Sequence, residues 1–134
     1  MVEIPAVTVT PHTTRPVPAD QVCALYLAQE WWPDRTTAQV AAVLDSAPAV
    51  GAWHQDRLVG FARAVTDGVL RAYVEDVVVA LDFRGTGLGR ALVAAILDLL
   101  GPIPVVTLFC AADLVPFYES AGFHPTRQVV LHRS

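Results

Sequence analysis

The chain has no lysine and no asparagine, a single methionine and only two cysteines in 134 residues. Without lysine there is no Schiff-base nucleophile and no P-loop lysine to reach a nucleotide phosphate. All nine basic side chains are arginines, set against thirteen acids for a net charge of −4, so the dense basic field that nucleic acid requires is missing. Long apolar runs are missing too. Ala91 to Leu100 is the longest, it is broken by Asp98, and it falls far short of the ~20 residues of a membrane span. The opening residues carry Glu3 but no basic or strongly apolar region, so no signal peptide is expected and the expected compartment is cytoplasmic. Cys23 and Cys110 each sit in an apolar stretch and read as buried thiols. No CxxC, HExxH or His/Cys cluster occurs, so no metal site is expected. What remains is 54% hydrophobic and 16% charged, which excludes disorder and suits one domain over residues 1–134.

The patterning changes period along the chain. Val7 to Thr10 alternates and predicts a short strand, followed by a loop marked by Pro11, Pro16 and Pro18. Ala19 to Gln29 places Val22, Leu25, Tyr26 and Gln29 on one helical face, and Trp31-Trp32-Pro33 stops that helix. Thr36 and Gln39 form a capping-box pattern for a second helix to about Ser46. Three strands then follow as a meander: Val50 to His54, Leu58 to Thr66, and Val69 to Val79, with Asp67-Gly68 as the hairpin signal. The last of these ends in Val77-Val78-Val79-Ala80 and predicts a strand buried on both faces. Gly87 to Leu100 is a helix apolar nearly all round, expected to pack deeply, and Gly101-Pro102 ends it. With Val105 to Phe109 as the next strand, this stretch makes a right-handed βαβ unit. Asp113 is expected to cap a short helix to Ala121, and Arg127 to His132 alternates as a terminal strand.

The most informative stretch is Arg84-Gly85-Thr86-Gly87-Leu88-Gly89-Arg90, between the buried strand and the apolar helix. Three glycines in five residues weaken a helix start, so something must need bare backbone there. An anion meets that need: glycines let amides approach closely and the helix start adds its positive dipole end. A P-loop is excluded by the missing lysine, and GxGxxG fails because Arg90 occupies the last position.

Arg84-x-x-Gly87-x-Gly89 resembles the [RQ]xxGx[GA] signature of the GNAT superfamily of acyl-CoA N-acyltransferases. Glu75-Asp76-Val77-Val78-Val79 is similar to that family's central fourth strand. Pro116-Phe117-Tyr118-Glu119-Ser120-Ala121-Gly122-Phe123 is similar to the block that closes its cofactor site. The resemblance is specific from Leu58 to Phe123. It implies an α/β (α+β) fold with a GNAT-like mixed sheet of about six to seven strands, an antiparallel meander plus one parallel βαβ unit, and four helices. Two departures stand out. Only a short tail follows Phe123 where the family usually has a hairpin, and Cys110-Ala111-Ala112-Asp113 replaces the asparagine often found after the fifth strand.

The resemblance implies acetyl-CoA as co-substrate, no metal, and direct transfer of an acetyl group to a primary amine of a small molecule or peptide. Backbone amides of Gly85, Thr86, Gly87, Leu88, Gly89 and Arg90 would cradle the diphosphate, with Arg84 opening the turn. Val77, Val78 and Val79 would offer backbone groups to the pantetheine arm. Tyr118 is the candidate acid for the leaving sulfur, or alternatively a core aromatic. Glu75 is the candidate base, directly or through water, with Asp76 as the fallback and a solvated strand-end acid as the plain alternative. Glu30, Trp31 and Trp32 are candidates for the acceptor, although the tryptophans could equally staple the first helix to the sheet. His54 and His124 could reach the same cleft. A non-catalytic acyl-CoA-binding regulatory module would share the glycine turn, and an interaction domain or a homodimer could form through an exposed last strand. No nucleic-acid or membrane partner is expected.

Overall fold

The structure, a computed structural model, describes residues 6–134. One five-stranded sheet runs in the order β1-β2-β3-β4-β5, made of β1 (Thr8–Pro11), β2 (Ala49–His54), β3 (Arg57–Thr66), β4 (Arg71–Val79) and β5 (Val105–Leu108). Neighbours are antiparallel except for the last pair, which is parallel. The helices are α1 (Ala19–Ala28), α2 (Thr37–Leu44), α3 (Leu88–Leu100) and α4 (Val115–Glu119). A meander followed by one βαβ crossover is therefore present, as expected.

Local chemistry explains the boundaries. At the start of α2, the Thr36 hydroxyl accepts from the Gln39 amide while the Gln39 side chain accepts from the Thr36 amide. The Asp67-Gly68 turn is wider than a two-residue hairpin. Asp67 Oδ1 accepts from the amides of Val69, Leu70 and Arg71, so β4 begins at Arg71 and not at Val69. Those three donors hold the Asp67 carboxyl below its ordinary range.

The two sheet faces take different helices. A Cβ at Gly60 would meet Leu92 of α3 at 2.8 Å. The next residue, Phe61, lines a cleft with Tyr26 of α1 and Val40 of α2. Successive strand residues point to opposite faces, so α3 covers one face and α1 with α2 covers the other. Val22, Tyr26, Phe61, Val78, Leu92 and Ile96 are all 2% exposed or less and form the centre of the core.

Three expectations are corrected and one is sharpened. The sheet has five strands, because Arg127 to His132 forms no strand and lies exposed; the edge expected to pair with a second copy is absent from the sheet. Helix α3, apolar nearly all round, packs deeply on one side only: Leu88, Leu92, Val93 and Ile96 are buried, but Ala91, Ala94 and Leu99 face outward. Leu114, not Asp113, occupies the α4 cap, because a 3-10 turn over Ala112–Leu114 comes first. The thiols are not both buried, since Cys23 is half-buried and Cys110 is exposed beyond the open edge of β5.

Candidate active site

The site begins where β4 and β5 part. Their pairing runs from Arg71↔Val105 to Val74↔Leu108 and stops, while β4 continues to Val79. The β5-side edge of Glu75 to Val79 is thus unpaired, and the result is a slot lined by backbone groups. A bulge in β4 sets the geometry. Phe61 pairs with Val78 and Arg63 with Glu75, so Ala62 faces two residues, Asp76 and Val77. The bulge reverses the side-chain parity that simple alternation gives. Glu75 and Val78 share the α1/α2 face, while Val79 points toward α3.

Asp76 pays for the bulge with φ +58°, a left-handed conformation unusual for a residue with a side chain. A buried charge knot holds it there. Asp76 Oδ2 accepts from Arg63 Nε at 2.7 Å, Arg35 Nη1 at 2.7 Å and the Tyr26 hydroxyl at 2.9 Å. Arg63 also donates to Glu75 Oε2 at 2.7 Å, and Arg35 lies 3.6 Å from Glu75 Oε1. Burial, then the Asp76 charge, drives the Tyr26 hydroxyl far above its ordinary pKa, so it stays a donor.

The glycine turn follows β4. Gly85 at φ +75° and Gly87 at φ +86° occupy backbone that a Cβ would strain. The Thr86 hydroxyl closes the turn by donating to the Phe83 carbonyl at 2.6 Å. Ala91 is the first amide of the helix to find a carbonyl, that of Gly87. Among the described residues, none of the six amides from Gly85 to Arg90 has a hydrogen-bond partner. Leu88 buries its side chain while its amide stays in this row, and Arg90 is exposed beside it. Gly89 has ordinary backbone. A Cβ there would lie 3.4 Å from Phe117 and 3.7 Å from Val79, in ordinary van der Waals contact.

Helix α1 ties these parts together. Tyr26 grips the bulge, and Gln29, three residues on, donates to the Val79 carbonyl at 3.0 Å. The Gln29 side-chain oxygen accepts from Arg84, which anchors the start of the turn. Arg84 is legible in the sequence, whereas the parts played by Gln29 and Arg63 emerge from the fold. Arg63 could have been noticed as a lone charge in the apolar run Leu58 to Val65, which demands a buried partner.

Tyr118 is half-buried between Phe117 and Phe123, both edge-on at 84°, with ring centroids 4.9 and 6.1 Å away. Its carbonyl accepts from the amides of Ala121 and Phe123, which folds the block onto itself. Burial, then nearby Cys110, raises the hydroxyl pKa, so it is protonated at neutral pH. Trp31 and Trp32 are 38% and 48% exposed in the loop after α1, next to exposed-loop residue Glu30. The Trp32 ring is covered by this chain's own Arg35 guanidinium, 4.2 Å from the ring centroid. His54 lies elsewhere, against Phe83 and the Ala6 carbonyl, and His124 is exposed. Among the described residues no group of three potential metal ligands forms, and no helix is long and apolar enough to cross a membrane.

Comparison with known proteins gives a consistent likeness. The model of the acetyltransferase (GNAT) domain matches residues 19–133. A soybean (Glycine max) protein named histone acetyltransferase TAP1 is 34% identical over 106 residues, covering 69% of this chain and 46% of its own length. GCN5-related N-acetyltransferase 1, chloroplastic, of Arabidopsis thaliana is 32% identical over 118 residues, covering 84% of this chain and 59% of its own. The chain thus spans about half the length of the curated relatives it matches. A crystal structure from Deinococcus radiodurans R1, of a protein put forward as an acetyltransferase, superposes with a TM-score of 0.82 at 30% identity, covering 99% of this chain and 92% of that one. A mixed sheet split at its parallel pair, a glycine turn of unpartnered amides and this agreement in sequence and fold lead to one conclusion: the chain belongs to the GNAT acetyltransferase family.

Proposed function

We propose that the chain is an N-acetyltransferase that moves an acetyl group from acetyl-CoA directly to a primary amine. The observation that carries this reading is the row of six unpartnered amides from Gly85 to Arg90, continuous with the unpaired edge of β4. Those residues fit the donor: the amides and the start of α3 suit a diphosphate, with Arg90 adding charge. The open edge at Val77, Val78 and Val79 suits an extended amide-bearing arm, bound as an added strand. When bound, the donor supplies a thioester carbonyl and a thiolate leaving group.

The chain's own groups cover the remaining tasks. Backbone amides of the free β4 segment are the donors available to a developing oxyanion. Tyr118, protonated and desolvated, is the acid for the departing sulfur. Glu75 is the base, acting through water. Its Oε2 is committed to Arg63, which leaves Oε1, with only the looser Arg35 contact, to take the proton. Asp76 does not suit that role, because its side chain is 2% exposed and one oxygen already takes three donors. The loop from Glu30 through Trp31 and Trp32 forms the lip over which the acceptor enters. A cytoplasmic setting belongs to the same proposal.

Acetyl-CoA titration followed by thermal melting tests the reading. Saturation at ~100 times Kd adds about 2.7 kcal/mol, which for a chain of this size is a rise of several degrees. An unchanged melting temperature rules the proposal out. Binding without thiol release from any amine leaves a binding module in place of an enzyme.

A further inference from the structure

The second face of the site holds a cleft of about 440 Å³ between α2 and β3, lined among others by Arg35, Val40, Val43, Leu44, Phe61 and Arg63. Its walls are mostly aliphatic and aromatic, and no carboxylate lines it. Its only charged lining groups are Arg35 and Arg63, and each is bound to Glu75 and Asp76 behind the wall. The cleft floor is continuous with the proposed site, since Phe61 is the register partner of Val78 and Arg63 of Glu75. One strand spacing, about 4.8 Å, separates that floor from the free β4 segment. The other plausible cation seat, the Trp32 ring, is already filled by Arg35.

From these observations we infer that the acceptor is a primary amine carried on an apolar body, aryl or branched alkyl, which seats in the α2–β3 cleft. Polycations such as polyamines and aminoglycosides are selected against. This inference rests on the acetyltransferase reading and assigns the acceptor class of that same site. A second ammonium entering the cleft meets two guanidiniums and no carboxylate on its lining, whereas an apolar body meets Val43 and the edges of Val40 and Leu44. Glu75 lies on the same sheet face as Arg63, whose Nη2 donates to its Oε2.

The test is a panel of 2-phenylethylamine, leucinamide, spermidine and kanamycin, assayed by thiol release from acetyl-CoA, with wild type and Val43→Asp. Val43 is half-buried on α2, and its substitution places a carboxylate in the cleft. Wild type is expected to favour the apolar amines by about tenfold or more in kcat/KM, the scale on which pockets discriminate apolar groups. Val43→Asp is expected to narrow or reverse that order by a similar factor while the KM for acetyl-CoA stays within about twofold. Near-UV circular dichroism and melting confirm that the variant is folded. Should Val43→Asp fail to fold, Val43→Thr, nearly isosteric but polar, carries the same comparison with a smaller expected change. Preference for spermidine or kanamycin, or a panel order unmoved by a folded Val43 variant, overturns the inference and leaves the acetyltransferase reading standing. Acetyl-CoA binding with no turnover of either apolar amine overturns it too. No acetyl-CoA binding at all sinks the acetyltransferase reading, and the inference with it.

Discussion

Asp76 offers the sharpest test of how this fold opens its slot. Replacing it with alanine removes the oxygen that takes donors from Arg63, Arg35 and Tyr26. Arg63 is left with its side chain 11% exposed and only Glu75 as a partner. Breaking a buried pair by removing one member costs about 3–5 kcal/mol. Alanine must also hold φ near +58°, which adds roughly 1 kcal/mol beyond what glycine would need. For a chain of this length each kcal/mol moves the melting temperature by about 3–4 °C, so Asp76→Ala is expected to melt roughly 12–24 °C below wild type. Asp76→Gly loses the same knot but keeps the backbone, and is expected to recover about 3–4 °C of that loss. Asp76→Asn keeps an acceptor and tolerates the left-handed region, so it is expected between glycine and wild type. Scanning calorimetry at neutral pH, with the KM for acetyl-CoA on each variant, gives the readout. An alanine variant within about 1 kcal/mol of wild type refutes the claim that the knot holds the bulge. An alanine variant that melts low but binds acetyl-CoA as tightly as wild type would show that the bulge does not shape the slot.

Further outcomes follow from other parts of the site. Gly87→Ala puts a Cβ on left-handed backbone beside the amide row, and is expected to raise the KM for acetyl-CoA by about tenfold or more, a cost of roughly 1–2 kcal/mol, with kcat less affected. Tyr118→Phe is expected to lower kcat by about 100-fold, with acetyl-CoA affinity by calorimetry unchanged. Because burial raises the Tyr118 pKa, the protonated acid persists upward in pH. No alkaline loss of kcat from this group is expected below its ordinary value of ~10, and a pH profile on saturating substrates checks it. Gly60→Ala drives a Cβ to 2.8 Å from Leu92 and is expected to cost about 1–3 kcal/mol in urea unfolding. Asp67→Ala is expected to lower stability at neutral pH. The lowered Asp67 carboxyl stabilises the fold above its unfolded pKa of ~3.9 and loses that contribution as pH falls through the folded value, so the gap to wild type closes in acid.

The order of elements, the capping box at Thr36 and Gln39, and the glycine turn between a strand and a helix are legible in the residues alone, because each depends on neighbours within a few positions. The nearly all-round apolar pattern of α3 predicts deep packing, which Leu88, Leu92, Val93 and Ile96 show, while composition cannot say how many faces of a helix meet the sheet. Alternation at Arg127 to His132 suggested a strand, yet pairing needs a partner edge brought alongside, and none is there among the described residues. The parity of β4 was set by long-range packing. One extra residue against Ala62 turned Asp76 inward, into reach of Tyr26, Arg35 and Arg63, 50, 41 and 13 residues away in the chain. Local pattern carries no information about such distant charges. Only the packing of α1 and α2 over the sheet could bring them to one carboxylate and leave an apolar cleft beside the slot.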